Sequence, residues 1–412
     1  NSLSYESQGD SIIVRDYTCN ETGSEKSRVL TAGKHHLEFS FGGQSAQAHN
    51  LATISTCQTL STSNEYYMLD SNITDDNGDC FVVQASNITL DCQGNTIDGD
   101  ADTSGYGVII NGASYNNLTI KNCIIQEFAR NVYVGVSSDD IRIENSQLLN
   151  GYYNGIITYS VTNLALINSN FSGTTAYGAY LWHTGGAYTN NLTINNCTFT
   201  GGTTSSDYGI SAAYINNSII ANSTFNGGTF TGNYGFGGQI QYMYNSIIEN
   251  SHFEGHSSDR DRGLYLMYGD NITVRNSTFI SHINDYPSLE AYTITNSKFQ
   301  NNTFYAPLTY GVTLTQYSQN NVFDNNNITS GRGLYLTTFS SNNNITNSII
   351  DSSITFGVYT TNYASGNKFI GNDIDSQTYA LYSTSYAANN EYINNSFSSN
   401  TVYAVYLNSF SG

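Results

Sequence analysis

Three observations predict that this chain folds as an all-β stack of short coils. A phrase made of a short strand, an Asn corner, a small residue and a large apolar residue recurs along the sequence, as in 117–125, 140–148 and 191–199. The large apolar positions lie about 20 to 29 residues apart, which is a repeat-protein period. A second phrase, built on Gly and Tyr, follows each first one. Each period therefore contains two or three short alternating runs, as expected for strands.

Two repeat architectures share this period, and the position of the Asn separates them. A leucine-rich repeat places its Asn three residues after a strand Leu and returns through a helix or its equivalent. Here Asn196 lies two residues after Ile194, and no helical run of about ten residues follows. The pattern therefore favours a parallel β-helix, in which each coil hydrogen-bonds to the next and no coil is stable alone.

The alternation within the repeat predicts which side chains face the core. Leu192 and Ile194 should point inward and Thr193 outward, because successive strand residues face opposite sides. The corner amides should stack about 4.8 Å apart and hydrogen-bond along the column, with Asn222 and Asn276 facing inward and inaccessible. This first ladder is predicted at Asn122, Asn145, Asn168, Asn196, Asn222, Asn250, Asn276 and Asn296, and a second at Asn117, Asp140, Asn163, Asn191, Asn217, Asn245 and Asn271.

The repeat divides the chain into two parts. Residues 1–85 lack it and are predicted to form an N-terminal β-rich cap or interaction region. Residues 86–412 are predicted to form about 12–14 coils. The sequence stops within or just after a regular coil, so we expect an open last coil whose strand edges pair with another copy.

The first and later coils resemble a known family. Residues 87–99, with the sequence Asn-Ile-Thr-Leu-Asp-Cys-Gln-Gly-Asn-Thr-Ile-Asp-Gly, resemble the first coil of right-handed parallel β-helix proteins of the carbohydrate-binding and sugar-hydrolase type. That group includes periplasmic copper-processing and pectin-degrading members. Residues 365–374 are similar to its Gly-Asn-x-Phe-x-x-Asn-x-Ile phrase. The resemblance covers residues 87–412 and implies a single-stranded right-handed parallel β-helix from a microbial cell-surface protein. Proteins that share this phrase have many different functions, so the resemblance is specific for the fold.

Composition and charge predict an extracellular, cell-surface location. The formal net charge of −19 should repel nucleic acid and polyanionic glycans. No run of about 18 apolar residues is present, so no transmembrane segment is predicted. The chain begins with Asn1 rather than Met, which predicts a removed signal sequence, and its six cysteines suit an oxidising compartment.

The cysteines predict disulfides rather than chemistry. Cys92 and Cys123 occupy similar places in adjacent coils and could pair. Cys197 shares the column of Cys123 but lies three coils away, roughly 14 Å, which is too far for a disulfide. Cys197 is therefore expected to be a buried free thiol where other coils have Ser. The disulfide candidates are Cys19, Cys57, Cys80, Cys92 and Cys123.

Modification and ion sites are predicted from short motifs. Asp75, Asp76 and Asp79 could hold a calcium ion as a cofactor, although an acidic turn that needs no ion is the favoured interpretation. Asn-x-Ser/Thr motifs are abundant and predict a glycoprotein. The glycosylation candidates are Asn20, Asn72, Asn87, Asn170, Asn216, Asn301, Asn327, Asn344 and Asn394.

One stretch concentrates residues that could perform chemistry. Residues 249–262 supply the catalytic candidates Glu249, Glu254, Asp259 and Asp261. A cross-coil ion pair with Arg275 accounts for Glu249 more simply, and residues 259–262 are predicted to form a solvated loop. The sequence therefore favours a protein that is not an enzyme; if it is one, a glycoside hydrolase or polysaccharide lyase is expected.

An aromatic column is predicted on the outer face of one sheet. The simplest interpretation is that stacked tyrosines cover the sheet, and the alternatives are a contact between protomers or a platform for neutral sugars. The column comprises Tyr133, Tyr180, Tyr265, Tyr335, Tyr359, Tyr382 and Tyr406.

These features favour an extracellular structural protein that self-assembles into a microbial surface layer, sheath or filament. Its partner would be itself, through the open last coil and the tyrosine face. The main alternative is a secreted polysaccharide-acting enzyme or glycan-binding β-helix module, and a third interpretation is an adhesin or phage fibre.

Overall fold

The computed structural model describes four strands within residues 1–37 and the chain from residue 48 to residue 408. The second part has gaps at 102, 184–188, 205–206, 230–233, 257–259 and 284–285. Every regular element in this described part is a β-strand. No helix that could cross a membrane occurs among these residues.

The N-terminal strands pair antiparallel. Ser4–Gln8, Ser11–Tyr17 and Glu25–Leu30 form a three-stranded sheet, and His35–Leu37 pairs with Ala48–Ile54. The same Ala48–Ile54 strand begins the parallel ladder, which therefore reaches upstream of residue 86. The division of the chain at residues 85 and 86 stays a prediction.

Each coil contributes strands to three parallel columns, and the solenoid has about 14 turns, so the predicted fold is confirmed. The first column comprises Ala48–Ile54, Glu65–Leu69, Ile88–Asp91, Leu118–Lys121, Ser138–Glu144, Val161–Ile167, Thr193–Asn195, Ile219–Ala221, Ile247–Glu249, Thr273–Arg275, Lys298–Gln300, Val322–Asp324, Asn344–Thr346, Lys368–Ile370 and Glu391–Ile393.

The other two columns follow the first around the coil. The second column comprises Ile73–Asp76, Thr96–Gly99, Ile124–Gln126, Gln147–Gly151, Asn170–Gly173, Thr198–Thr200, Thr224–Asn226, His252–Glu254, Thr278–Ile280, Ile349–Ser352, Asp373–Ser376 and Ser396–Ser399. The third comprises Gln58–Leu60, Phe81–Val83, Tyr106–Ile110, Arg130–Val134, Asn154–Tyr159, Tyr177–Trp182, Ile210–Asn216, Gly238–Tyr244, Leu264–Asp270, Leu289–Thr295, Phe356–Thr360, Tyr379–Ser383 and Tyr403–Leu407, with the short Thr189–Asn190 beside it. Thr303–Thr315 and Asn327–Leu336 run through both columns.

The inward residues form one continuous apolar core. In the second column, the rings of Phe171, Phe199, Phe225, Phe253, Phe279 and Phe304 stack with centroids 4.4–5.4 Å apart. Phe304 continues this stack, whereas Phe299 belongs to the first column and stacks on Phe323 at 4.3 Å.

The corner Asn residues form ladders, but the ladders face solvent. The corner after the first column has φ near 50°, as at Asn222 and Asn276, a left-handed conformation that Asn tolerates better than most residues. Both side chains are exposed, so the prediction that they are inaccessible is wrong. Asn276 donates to Asn250 at 3.3 Å, and Asn301, not Asn296, continues this ladder. Asn296 belongs to the second ladder, where it donates to Asp270 at 2.6 Å.

A buried polar ladder lies directly inside the exposed one. Ser251 Oγ accepts the backbone N–H of Ser223 at 3.2 Å and donates to the carbonyl of Glu249 at 2.8 Å. Asn302 does the same with its amide, since its Oδ1 accepts the N–H of Ser277 at 3.0 Å. A left-handed corner turns the next N–H away from the strand ladder, and each coil satisfies it with a side chain from the following coil. The ladder comprises Cys123, Ser146, Ser169, Cys197, Ser223, Ser251, Ser277, Asn302, Asn326, Ser348, Asn372 and Asn395.

The cysteines take the places that the repeat assigns to them. Cys92 is joined to Cys123, with Cα atoms 4.7 Å apart, as the predicted pairing of adjacent coils requires. A second disulfide joins Cys57 to Cys80. Cys197 is a buried free thiol whose pKa burial raises to about 11, and Cys19 lies outside the described residues. Two disulfides fit an oxidising compartment.

Replacing Cys197 tests the buried ladder. Cys197→Ser should leave the thermal midpoint unchanged or raise it, because a hydroxyl accepts the N–H of Ser169 better than a sulfur does. Cys197→Val should lower the unfolding free energy by about 1–3 kcal/mol, because it leaves that buried N–H without an acceptor. Equal midpoints for the two variants in thermal denaturation would contradict the role given to this ladder.

Candidate functional site

Among the catalytic candidates that the structure describes, Glu249 lies apart from Glu254 and Asp261. Glu249 lies in the first column and Glu254 in the second, on different faces of the coil. Arg275 occupies the position of Glu249 in the next coil and binds its carboxylate at 2.5–2.7 Å, so the predicted ion pair is present. Asp259 lies outside the described residues.

Glu254 is instead surrounded by histidines. Its Oε2 lies 3.0 Å from Nε2 of His252, and its Oε1 lies 2.9 Å from Nε2 of His282 and 3.8 Å from Nε2 of His256. The imidazoles of His256 and His282 stack with centroids 5.6 Å apart. They do so because Glu254 pairs with Ile280 in the next coil, and each ring follows that pair by two residues.

The sequence pattern missed His282. It lies one coil beyond His256, outside the charged stretch that drew attention to residues 249–262. Its spacing in the sequence could have identified it, because His282 occupies the position of His256 in the next repeat. Glu254, His256 and His282 each offer a ligand atom within 4.8 Å of the others, so this group could hold a metal ion.

Asp261 and Arg262 are buried, so the prediction of a solvated loop is wrong at these positions. Asp261 is 0% exposed, and its Oδ2 accepts the backbone N–H of His282 at 2.7 Å. Arg262 lies over the rings of Phe236, Tyr265 and Tyr286 and binds Glu290 at 2.6 Å. These contacts hold Asp261 and Arg262 in place after the second-column strand His252–Glu254.

Burial and hydrogen bonding move the pKa values of the two carboxyl groups apart. Burial raises the pKa of Asp261 to about 7, against the opposing hydrogen bond from His282. Burial also acts to raise the pKa of Glu254, but hydrogen bonds from His252 and His282 outweigh it and hold the pKa below its usual range. Burial lowers the pKa of His256. Near neutral pH, Glu254 is therefore ionised and His256 is neutral.

An open groove runs along the outer face of the second column to Glu254 and His256. Uncharged polar side chains from successive coils line its earlier part, namely Asn150, Asn170, Ser172, Thr174, Thr198, Thr200, Thr203 and Asn226. Gly201, Gly202, Gly227 and Gly228 lie between these side chains, and all four are buried. A Cβ at Gly228 would overlap the carbonyl oxygen of Gly202, so the coils approach one another too closely here for any side chain.

The tyrosine column occupies the third column as predicted, but its rings are half-buried. Tyr335 and Tyr359 stack with centroids 5.0 Å apart, and Tyr382 and Tyr406 stack at 4.9 Å. In these two pairs the ring faces cover each other, whereas Tyr359 and Tyr382 meet edge to face at 67°. The half-burial of these rings supports the interpretation that the tyrosines cover the sheet.

The remaining candidate sites are dispersed. Asp79 is described but the side chains of Asp75 and Asp76 are not, and the calcium site stays a prediction. Asn72, Asn170, Asn301, Asn327, Asn344 and Asn394 are exposed, Asn87 and Asn216 are half-buried, and Asn20 lies outside the described residues. The amide of Asn216 bonds to Asn190 and Asn245 at 3.0 Å each. Glycosylation at these positions stays a prediction.

A family model described as the right-handed beta helix region matches residues 58–219, 189–286 and 287–412, which together span most of the chain. The chain belongs to the right-handed β-helix family. No curated protein matches it. A right-handed β-helix supports many unrelated activities, so membership establishes the fold and leaves the function to the site.

Solved structures resemble this β-helix only distantly. A periplasmic alginate epimerase, AlgG, is 12% identical, with a TM-score of 0.41 over 84% of this chain and 77% of that one. The A-module of a mannuronan C-5 epimerase from Azotobacter vinelandii is 13% identical, with a TM-score of 0.41 over 84% and 86%. The Dettilon tailspike protein is 10% identical, with a TM-score of 0.44 over 73% and 59%. Likenesses this distant do not establish what this β-helix binds.

The pKa of Asp261 predicts a pH-dependent stability. The folded protein holds the Asp261 proton more tightly than the unfolded chain, whose carboxyl has a pKa near 3.8. The stabilisation is complete below pH about 4 and is lost as pH rises through about 7, by at most about 4 kcal/mol. Asp261→Asn removes this loss, so its stability relative to the unsubstituted protein should increase from pH 4 to pH 8. Urea denaturation in EDTA-containing buffer measures this, and a pH-independent difference would contradict it.

Proposed function

We propose that this protein is an extracellular glycan-binding β-helix, which holds a neutral polysaccharide in the groove along its second column. The observation that carries the proposal is the groove itself, where hydroxyl and amide side chains from successive coils line an open path that ends at Glu254 and His256. This choice favours the glycan-binding alternative over the self-assembling structural protein that the sequence favoured.

The chemistry of the lining suits sugar hydroxyls. Thr200 and Thr203 are exposed, and each hydroxyl can both donate and accept a hydrogen bond, as a sugar hydroxyl also does. The buried glycines beside them carry no side chain that would narrow the groove. A groove that repeats every coil suits a ligand that itself repeats.

The charge of the protein selects among glycans. A formal net charge of −19 opposes the approach of a uronate polymer, and none of the described residues lining this groove is Lys or Arg. A neutral polysaccharide meets no such barrier. The expected ligand is therefore a neutral glucan, mannan, xylan or galactan.

The geometry supports binding better than hydrolysis. Glycoside hydrolysis uses two carboxyl groups that flank the bond to be cleaved, about 5–9.5 Å apart. Glu254 is accessible from the groove, but Asp261 is fully buried and packs against Gly255, so it cannot touch a sugar in this arrangement. Among the described groove residues, Glu254 therefore stands without a second reachable carboxyl group.

Self-assembly is the second candidate, and one observation favours it. In the last described coil, Tyr403, Val405 and Leu407 are each about half exposed, which makes an apolar strand edge. Such an edge binds further β-structure, whether another copy or more of the same chain.

Blocking the groove tests the first proposal. Thr200→Arg places a long charged side chain across the groove and should weaken polysaccharide binding at least tenfold, because it displaces the ligand from the central coils. Thr59→Arg is the matched control, since Thr59 is an exposed threonine of the third column, outside the groove and outside the predicted glycosylation motifs. Affinity electrophoresis against a panel of neutral polysaccharides, followed by calorimetry, measures both. Failure of every polysaccharide to bind, or equal weakening in both variants, would contradict the proposal.

The apolar edge has its own test. If it binds a second copy, the protein should sediment as a concentration-dependent oligomer, and Val405→Lys with Leu407→Lys should return it to monomer by charging the edge. Sedimentation velocity measures both states. A monomer at every concentration would exclude self-assembly through this edge and leave polysaccharide binding unaffected.

A further inference from the structure

Three of the seven histidines in the chain converge on one carboxylate. The surface around them is otherwise made of hydroxyl, amide and glycine groups, and only 11% of the residues in the chain are charged. Neither solubility nor coverage of the sheet requires three imidazole side chains at one place.

The side chains face a common point. One ligand atom from each of Glu254, His256 and His282 lies within 4.8 Å of the other two. The imidazole rings are nearly parallel, at 11°, and belong to equivalent positions of adjacent coils. The stacking of the solenoid therefore brings two nitrogen ligands and one oxygen ligand together from adjacent coils.

We infer that Glu254, His256 and His282 form a binding site for a divalent transition-metal ion, with Zn²⁺ as the ion to test. Two imidazoles and one carboxylate are a ligand set that Zn²⁺ accepts with further positions left for water or a ligand. Calcium and magnesium prefer oxygen ligands throughout, so this set disfavours them.

Neighbouring groups support the ligands from outside. His252 lies 3.0 Å from Oε2 of Glu254, which leaves Oε1 toward the other two histidines. Asp261 accepts the backbone N–H of His282 and so fixes the chain that carries this ligand. Such outer contacts orient ligands and strengthen metal binding.

The site is open to the groove. The side chains of Glu254, His256 and His282 are 23%, 34% and 44% exposed, so an ion held between them would keep positions that face solvent. Those positions would accept water or the hydroxyl oxygens of a bound sugar. Metal binding does not depend on the proposed polysaccharide, because it is measured on the protein alone.

Calorimetric titration of Zn²⁺ into untagged, EDTA-treated and dialysed protein tests the site. We expect one equivalent to bind with a Kd below about 10 µM. Glu254→Gln and His282→Asn should each weaken binding at least tenfold, because each removes one ligand. Glu391→Gln is the matched control, since it neutralises a glutamate that pairs with Lys368 in another part of the solenoid.

Two further readouts separate loss of the site from loss of the fold. Circular dichroism should give the same spectrum for all variants, and the visible absorption of bound Co²⁺ in the unsubstituted protein should disappear on addition of excess Zn²⁺. Absence of saturable Zn²⁺ binding to the unsubstituted protein would overturn the inference. Equal Zn²⁺ affinity in Glu254→Gln, His282→Asn and the control would overturn it as well.

Discussion

The structure depends on how the chain satisfies its backbone at each corner. A left-handed residue after the first column turns the chain sharply, but it leaves an N–H directed into the interior. The next coil supplies the acceptor, as when Asn326 Oδ1 accepts the N–H of Asn302 at 2.9 Å. An unsatisfied N–H costs about 1–3 kcal/mol, and a whole domain is stable by only about 5–15 kcal/mol, so a few open corners would unfold the stack.

That constraint fixes the register of every coil against the next. The candidate site depends on this register. His256 and His282 are far apart in sequence but stack because their strands are held in register. Glu254 lies between them for the same reason. The groove has the same origin. Part of its lining is one outward position repeated in successive coils, at Ser172, Thr200, Asn226 and Glu254.

The sequence predicted the features that repeat and missed those that depend on one position. The period of Asn and Phe indicated the parallel coils, the core, the Cys92–Cys123 disulfide and the Glu249–Arg275 pair. The same period could not show that left-handed corners turn Asn222 outward and Ser223 inward, because φ is not visible in a hydrophobic pattern. Nor could it show that Asp261 is buried, since a run of alternating charges is usually solvated, whereas Asp261 lies against Gly255.

The most direct test of the account is a crystal structure of the protein soaked with zinc, with diffraction measured at the zinc absorption edge. The account predicts one anomalous peak between Glu254 Oε1 and the Nε2 atoms of His256 and His282, with the two rings stacked from adjacent coils. A structure in which these rings belong to different faces, or in which zinc binds only elsewhere, would contradict both the coil register and the site built on it.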